Sequence, residues 1–130
     1  MPSKPNYTPT EGMEQAKLFS WAHMQTYFYP ELDLMFHVPN GGSRGKAEAG
    51  RFRAEGVKAG VPDICLPVPR GQYHGLFIEM KRQQGGRVRP EQKAWLDKLA
   101  AQGYLATVCR GWEEASNIIL AYLDSEIQAP

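Results

Sequence analysis

The chain has 130 residues, 15 of them Lys or Arg and 14 Asp or Glu, which gives a formal net charge of +1. Hydrophobic residues make up 42% of the chain and aromatic residues 11%, values that exclude a wholly disordered chain and suit one globular domain. No stretch approaches 18 apolar residues and the first six residues lack an apolar core, so we expect neither a membrane span nor a signal peptide.

The first half of the chain predicts two helices and a short strand. Residues 1–7 are expected to form a flexible arm. Thr8 is the predicted N-cap of a helix with Pro9 at its first position and Glu11 closing a capping box, and this helix is expected to run to about Tyr29. An apolar run at 34–38 predicts a strand, and the composition of 46–55 predicts a second helix.

The second half predicts a β-hairpin and two further helices. The hairpin pairs the runs 63–68 and 75–81, and Pro90 opens a helix that Gly103 stops. A strand at 104–109 and an amphipathic helix at 112–123 follow, before a tail at 126–130. The element order α, β, α, β, β, α, β, α predicts an α/β fold with a mixed sheet flanked by helices, in one domain over 8–125.

The basic residues are unevenly distributed. They fall in two segments, Arg44, Lys46, Arg51, Arg53 and Lys58 in the first and Lys81, Arg82, Arg87, Arg89 and Lys93 in the second. A folded chain can therefore present one basic face to DNA despite its near-neutral sum. Ordinary solvated loops and helix faces are the alternative, which charge alone favours.

Cys65 and Cys109 are far apart in sequence, and three scattered histidines complete no zinc spacing with them. Buried free thiols in an intracellular, cytoplasmic protein are the expectation. His37 is expected to be a packing or hydrogen-bonding residue at a strand end.

The candidate catalytic residues are polar groups at the start of the first hairpin strand and at the end of the second. Asp63 opens the first strand, and Glu79 and Lys81 close the second. Because strand side chains alternate faces, Glu79 and Lys81 point the same way, and the hairpin brings Asp63 beside them. Two carboxylates beside an ammonium suit a hydrated Mg²⁺ or Mn²⁺ ion next to a phosphodiester bond. An edge ion pair and a turn-capping aspartate are the alternatives.

Three residues besides Asp63, Glu79 and Lys81 are predicted at this site, and Lys81 is given a role. The main-chain carbonyl of Met80 is a candidate metal ligand, and Lys81 is expected to orient or deprotonate the attacking water. Glu14, on the apolar stripe of the first helix, is expected to hold a metal-bound water. Gln92 is expected to position Lys81 or a phosphate. The candidate DNA contacts are Asn40, Arg44, Lys46, Arg51, Arg82 and Arg87.

The chain resembles the VRR-NUC family of the PD-(D/E)XK nuclease superfamily. The resemblance rests on Glu14, on the segments 37–42, 60–63 and 78–81, and on Gln92 followed by Trp95 and Leu99. It implies a restriction-endonuclease-like fold and metal-dependent DNA cleavage, with Asp63 and Glu79 as metal ligands and Lys81 as the catalytic lysine. It further implies Glu14 as an outer acidic residue and Gln92 as the family's glutamine.

Within that family the chain is similar to the small stand-alone members common in phages, which are associated with cleavage of branched DNA such as four-way (Holliday) junctions. A homodimer with two active sites suits symmetric cleavage, and Trp112 and Tyr122 are candidates for its interface or for the core. The alternatives are a module that binds junctions without cutting and a nuclease for flaps or single strands. No short motif distinguishes these substrates.

Overall fold

The computed structural model describes residues 7–39 and 46–127, and the side chain of Lys46 lies outside that description. The predicted arm at 1–7 and tail at 126–130 fall largely beyond it, so they stay predictions, as does the single domain at 8–125. In chain order the elements are α1 Glu11–Gln25, a 3₁₀ helix Pro30–Leu34, β1 Phe36–His37, α2 Lys46–Ala54, β2 Ile64–Leu66, β3 Leu76–Lys81, α3 Pro90–Ala101, β4 Leu105–Arg110 and α4 Trp112–Leu123.

One four-stranded sheet, in the order β1-β2-β3-β4, organises these elements. β2 pairs antiparallel with both β1 and β3, and β3 pairs parallel with β4. A parallel pair needs a crossover connection, which α3 provides. The α/β fold with a mixed sheet flanked by helices, and the 63–81 hairpin within it, are therefore confirmed.

The two faces of the sheet have different roles. Ile78 and Met80 of β3 are fully buried in the hydrophobic core with Leu18 of α1 and Ile119 of α4. The alternating residues Glu79 and Lys81 point to the opposite face, where Gln92 of α3 contacts both. The core therefore holds β3 rigidly while its other face carries polar groups.

The first helix begins and ends elsewhere than predicted. Its N-cap is Thr10, whose hydroxyl oxygen accepts the N–H of Met13 at 3.1 Å, so the predicted Thr8 cap is wrong. The helix ends at Gln25, not near Tyr29. Tyr29 precedes Pro30, which disfavours helical backbone, and it has φ −132° and ψ 79°.

The strand predicted at 34–38 is only two residues long. Leu34 still belongs to the 3₁₀ helix, and the pairing partner β2 has three residues because Pro67 and Pro69 follow it without N–H groups.

Tyr122 is fully buried and donates its hydroxyl proton to the carbonyl of Val68, which rules it out as an exposed interface residue. Trp112 is partly buried against the same core.

Candidate active site

The hairpin register places Asp63 opposite Glu79. Ile64 pairs with Ile78 in antiparallel register, so Asp63, just before Ile64, lies opposite Glu79, just after Ile78. There the Oδ2 atom of Asp63 accepts the main-chain N–H of Met80 at 2.8 Å. That hydrogen bond fixes the Asp63 carboxylate beside β3.

The edge strand β1 holds the backbone of Asp63 from the other side. The carbonyl oxygen of Asp63 lies 2.7 Å from the N of Val38 and 2.9 Å from Nδ1 of His37. Because a carbonyl only accepts, Nδ1 of His37 carries the proton. The prediction that His37 forms a hydrogen bond at a strand end is confirmed.

Glu79 and Lys81 lie side by side on β3 and are both buried, with side-chain exposures of 2% and 5%. The Nζ atom of Lys81 is 3.7 Å from Oε1 of Glu79 and 4.0 Å from Oε1 of Glu11. Burial reduces solvent screening between Lys81 and Glu79, whereas Glu11 is about half exposed and its interaction with Lys81 is weakened by solvent.

Gln92, in the first turn of α3, joins the two charged groups. Its Nε2 donates to Oε1 of Glu79 at 2.9 Å, and its Oε1 accepts from Nζ of Lys81 at 3.0 Å. The same Oε1 accepts the N–H of Arg89, the N-cap residue of α3, at 2.9 Å and so satisfies one of the free N–H groups at this helix end. The side chain that caps the helix therefore also orients Lys81.

These groups open into a cavity of about 520 Å³. Its wall includes residues 59–61, the first turns of α1 and α3, and the loop between β3 and α3; the lining residues are Glu11, Ala59, Gly60, Val61, Asp63, Glu79, Lys81, Gly86, Arg87, Arg89, Glu91 and Gln92. Acidic groups lie at its base and arginines on its wall, so it can accommodate a cation together with a phosphate.

The buried carboxyl group of Glu79 resists ionisation, as its raised pKa shows. Burial, and next the negative charge of Asp63, raise the pKa of Glu79 from 4.5 to about 8, against the opposing effect of the Lys81 ammonium. Within the described residues, Oε2 of Glu79 is buried and has no hydrogen-bond partner. A buried carboxylate oxygen without a donor suits a bound cation.

The donor set is a small one. Among residues 7–39 and 46–127, no three His, Cys, Asp or Glu side chains are grouped as a complete metal cage. Mg²⁺ keeps several of its waters and binds proteins through one or two carboxylates, which is what Asp63 and Glu79 provide. Both residues therefore fit a hydrated divalent ion.

Comparison with known proteins identifies the family. The VRR-NUC domain model matches residues 10–113, which is most of the chain. The chain belongs to the VRR-NUC domain family. A solved structure described as a VRR_NUC domain protein shares 32% sequence identity and has a TM-score of 0.80, over 92% of each chain. A search of curated proteins found no match. Membership of this family assigns a nuclease-type, DNA-processing function, and the PD-(D/E)XK placement fits it.

In this VRR-NUC domain the structure does not bring Glu14 into the cavity. Glu14 is fully buried and does not line the cavity; its Oε2 accepts from Nε2 of Gln83 at 3.2 Å, and its Oε1 has no partner among the described residues. A Cβ on Gly111, at the start of α4, would lie 2.8 Å from Oε2. The role of Glu14 as an outer ligand through water stays a prediction, as does that of the Met80 carbonyl.

Glu11 is the α1 carboxylate that lines the cavity, and sequence reasoning assigned it only a capping role. Glu11 is the first residue of α1, and its Oε1 lies 4.0 Å from Nζ of Lys81 at the end of β3. No local signal in the sequence indicates this approach of α1 to β3.

The predicted DNA contacts are only partly described. Asn40 and Arg44 lie outside the described residues, as does the side chain of Lys46. Arg51 is exposed on α2 with its guanidinium 5.3 Å from the centre of the Phe52 ring. Arg87 lines the cavity and Arg82 is exposed in the same loop, while Arg89 lines the cavity although it was not predicted as a contact.

Proposed function

We propose that this VRR-NUC domain is a Mg²⁺- or Mn²⁺-dependent endonuclease that hydrolyses phosphodiester bonds in branched DNA, with four-way junctions as the expected substrate. The observation that carries the proposal is the convergence of Asp63, Glu79 and Lys81 in one cavity, where Oε2 of Glu79 has no donor within the described residues. The family supports the nuclease chemistry at the coarser level.

Each charged side chain of the cavity has its own role in the proposed reaction. Asp63 and Glu79 would hold the ion, which supplies Lewis-acid stabilisation of the charge that develops on the phosphate. Lys81, held by Gln92, orients the attacking water and is placed to exchange a proton with it. Arg87 and Arg89 on the cavity wall offset the charge of the DNA backbone.

Replacing Lys81 with alanine tests this role. We expect cleavage of labelled four-way junctions to fall at least about a hundredfold, the usual contribution of general acid–base catalysis. The measurement is single-turnover cleavage with Mn²⁺, and Lys17→Ala, which removes an exposed lysine from α1, should keep the wild-type rate. Equal activity of Lys81→Ala and wild type contradicts the proposal.

Two further measurements rank the alternatives. A module that binds junctions without cutting leaves the DNA intact and takes up no Mn²⁺ in titration calorimetry. A flap or single-strand nuclease takes up the ion but prefers those substrates over the junction in a panel of labelled DNA structures.

No helix in the described part of the chain is long and apolar enough to span a membrane.

We further propose that two copies associate through the end of α1. Met24, Tyr27 and Phe28 are 69%, 86% and 70% exposed there, an unusual grouping of large apolar side chains. Two active sites related by a two-fold axis can cut two strands symmetrically.

Replacing both Tyr27 and Phe28 with serine is therefore expected to convert a dimer into a monomer of 14.6 kDa in sedimentation equilibrium. The monomer should nick a junction in one strand where the wild type cuts two. Val57→Ser, at an exposed apolar position elsewhere, is the matched control and should leave the mass unchanged. A monomeric wild type contradicts the association.

A further inference from the structure

Arg110, the last residue of β4, connects the sheet to the loop that follows Lys81. Its Nη1 donates to the carbonyl of Gly85 at 2.7 Å and to that of Arg82 at 3.5 Å, and its Nη2 donates to the carbonyl of Gly86 at 3.3 Å. One planar guanidinium therefore holds three main-chain carbonyls of the loop at 82–89. Only arginine has a rigid fork of donors that can do this.

The loop needs an unusual backbone to present those carbonyls together. Gly85 and Gly86 have φ of +74° and +66°, in the left-handed region that residues with a Cβ rarely adopt. A Cβ on Gly85 would also lie 2.9 Å from Nη2 of Arg82. Two consecutive left-handed residues and an arginine from another strand thus define the loop conformation.

This loop places positively charged arginine side chains at the candidate active site. Arg82, Arg87 and Arg89 are all exposed, and Arg87 and Arg89 line the cavity together with Gly86. Arg110 donates to neutral carbonyls and forms no ion pair among residues 7–39 and 46–127, so its charge adds to theirs. The acidic groups that share this cavity wall are Glu11 and Glu91.

We infer that the loop at 82–89 is a phosphate-binding element for the DNA backbone and that Arg110 is the positioning residue that sets its shape. The inference rests on the proposed function. Arg87 contacts the phosphate, and Arg110 acts through the loop carbonyls to hold Arg87 at the cavity. A fixed loop binds a phosphate with less loss of conformational freedom than a flexible one.

Binding of a labelled four-way junction without metal, measured by fluorescence anisotropy over a range of salt concentrations, tests this inference. Arg87→Gln should weaken binding roughly eightfold at 0.1 M salt and reduce the salt slope by about 0.9, the value for one phosphate contact. Arg110→Lys keeps the charge but loses the fork, so we expect a loss of similar size.

The double variant Arg87→Gln with Arg110→Lys decides between positioning and direct contact. If Arg110 acts through Arg87, the double variant binds no more weakly than Arg87→Gln alone, whereas independent contacts give multiplied losses. Multiplied losses, or wild-type affinity of Arg110→Lys, overturn the inference.

Gly85→Val tests the same loop without changing any charge. A β-branched residue is strained at the positive φ of Gly85, so the loop must change shape. Gly85 does not line the cavity, so the added side chain does not block it. Gly85→Val should reproduce the loss seen for Arg110→Lys even if the latter folds poorly, and wild-type affinity of this variant also overturns the inference. Lys98→Gln, an exposed charge in the last turn of α3, is the control and should change affinity less than twofold.

The outcomes separate this inference from the proposed function. A wild type that binds and cuts junctions while both loop variants bind normally refutes only the role of Arg110. A wild type that neither binds nor cuts DNA refutes the nuclease proposal and the inference with it.

Discussion

Replacing Glu79 with glutamine is expected to abolish cleavage and, at the same time, to stabilise the metal-free protein at high pH. The amide keeps the shape of the side chain but removes the negative charge that would bind the ion. Calorimetric titration with Mn²⁺ and junction cleavage measure the first effect. Glu55→Gln, at an exposed carboxylate next to α2, should leave both unchanged.

The stabilising effect follows from the raised pKa of Glu79, which moves from 4.5 to about 8. A carboxyl group with a higher pKa in the folded state binds its proton more tightly there, so folding stability falls as the pH rises from 4.5 to 8. The glutamine variant escapes this loss. In EDTA at pH 9 it should unfold with a free energy higher by on the order of 2 kcal/mol, the typical cost of a buried polar atom that has no hydrogen-bond partner, as is the case for Oε2 of Glu79 among the described residues.

Well below pH 4.5, the carboxyl is protonated in both states and the difference should nearly vanish. Added Mg²⁺ should raise the melting temperature of the wild type and leave that of Glu79→Gln unchanged. If the glutamine variant melts at or below the wild-type temperature at pH 9 in EDTA, the assigned environment of Glu79 is wrong.

Gly60→Ala is expected to be the most damaging single methyl group that can be added near the site. Gly60 has φ +91°, and a Cβ there would lie 2.6 Å from the carbonyl oxygen of Glu91 and 3.0 Å from Cδ1 of Trp95. A main-chain oxygen in the first turn of α3 cannot rotate away, so α3 must shift and carry Gln92 with it. We expect a loss of stability above the roughly 1–2 kcal/mol of left-handed strain alone, together with slower cleavage.

Gly56→Ala is the matched control because Gly56 has a similar φ of +98° and nothing within 4 Å of the added methyl. It should show only the strain, with cleavage retained. Urea unfolding and junction cleavage of the two variants measure the difference. Equal loss of stability in both would mean that the contact between Gly60 and α3 is unimportant.

The order of elements was predictable because the helices and strands have strong local signals. Trp112–Leu123 matches the predicted helix in both bounds, since Gly111 precedes it at φ +89° and its apolar positions repeat at helical spacing. Strand lengths were overestimated at 34–38 and 63–68. At these positions the length of each strand is limited by prolines and by the length of the strand it pairs with. The pairing strand is distant in sequence, so its length is not visible in the local pattern.

The candidate site was predictable where one hairpin determines it. The two-residue period puts Glu79 and Lys81 on one face, and the register of β2 and β3 brings Asp63 to them. Gln92 could be proposed as the residue that positions Lys81 or a phosphate, but its double hydrogen bond depends on how α3 packs. Glu11 and the contacts of Arg110 to the Gly85–Gly86 turn depend on the approach of separate elements, which no local pattern encodes.

The polar groups at the base of the cavity come from a short stretch of the chain, between Asp63 and Gln92. Bringing them together requires closing one hairpin and adding one helical turn, so little loop-closure entropy opposes it. Because they are local in sequence, we expect these contacts to form earlier in folding than those that span the whole chain. The helices α1 and α4 reach these groups from outside that stretch. Leu18 and Ile119 lie in the same core as Ile78 and Met80, and Glu11 lines the cavity, so substitutions in the packing of α1 against α4 should change the position of Glu79 and Lys81 as well as the stability of the domain.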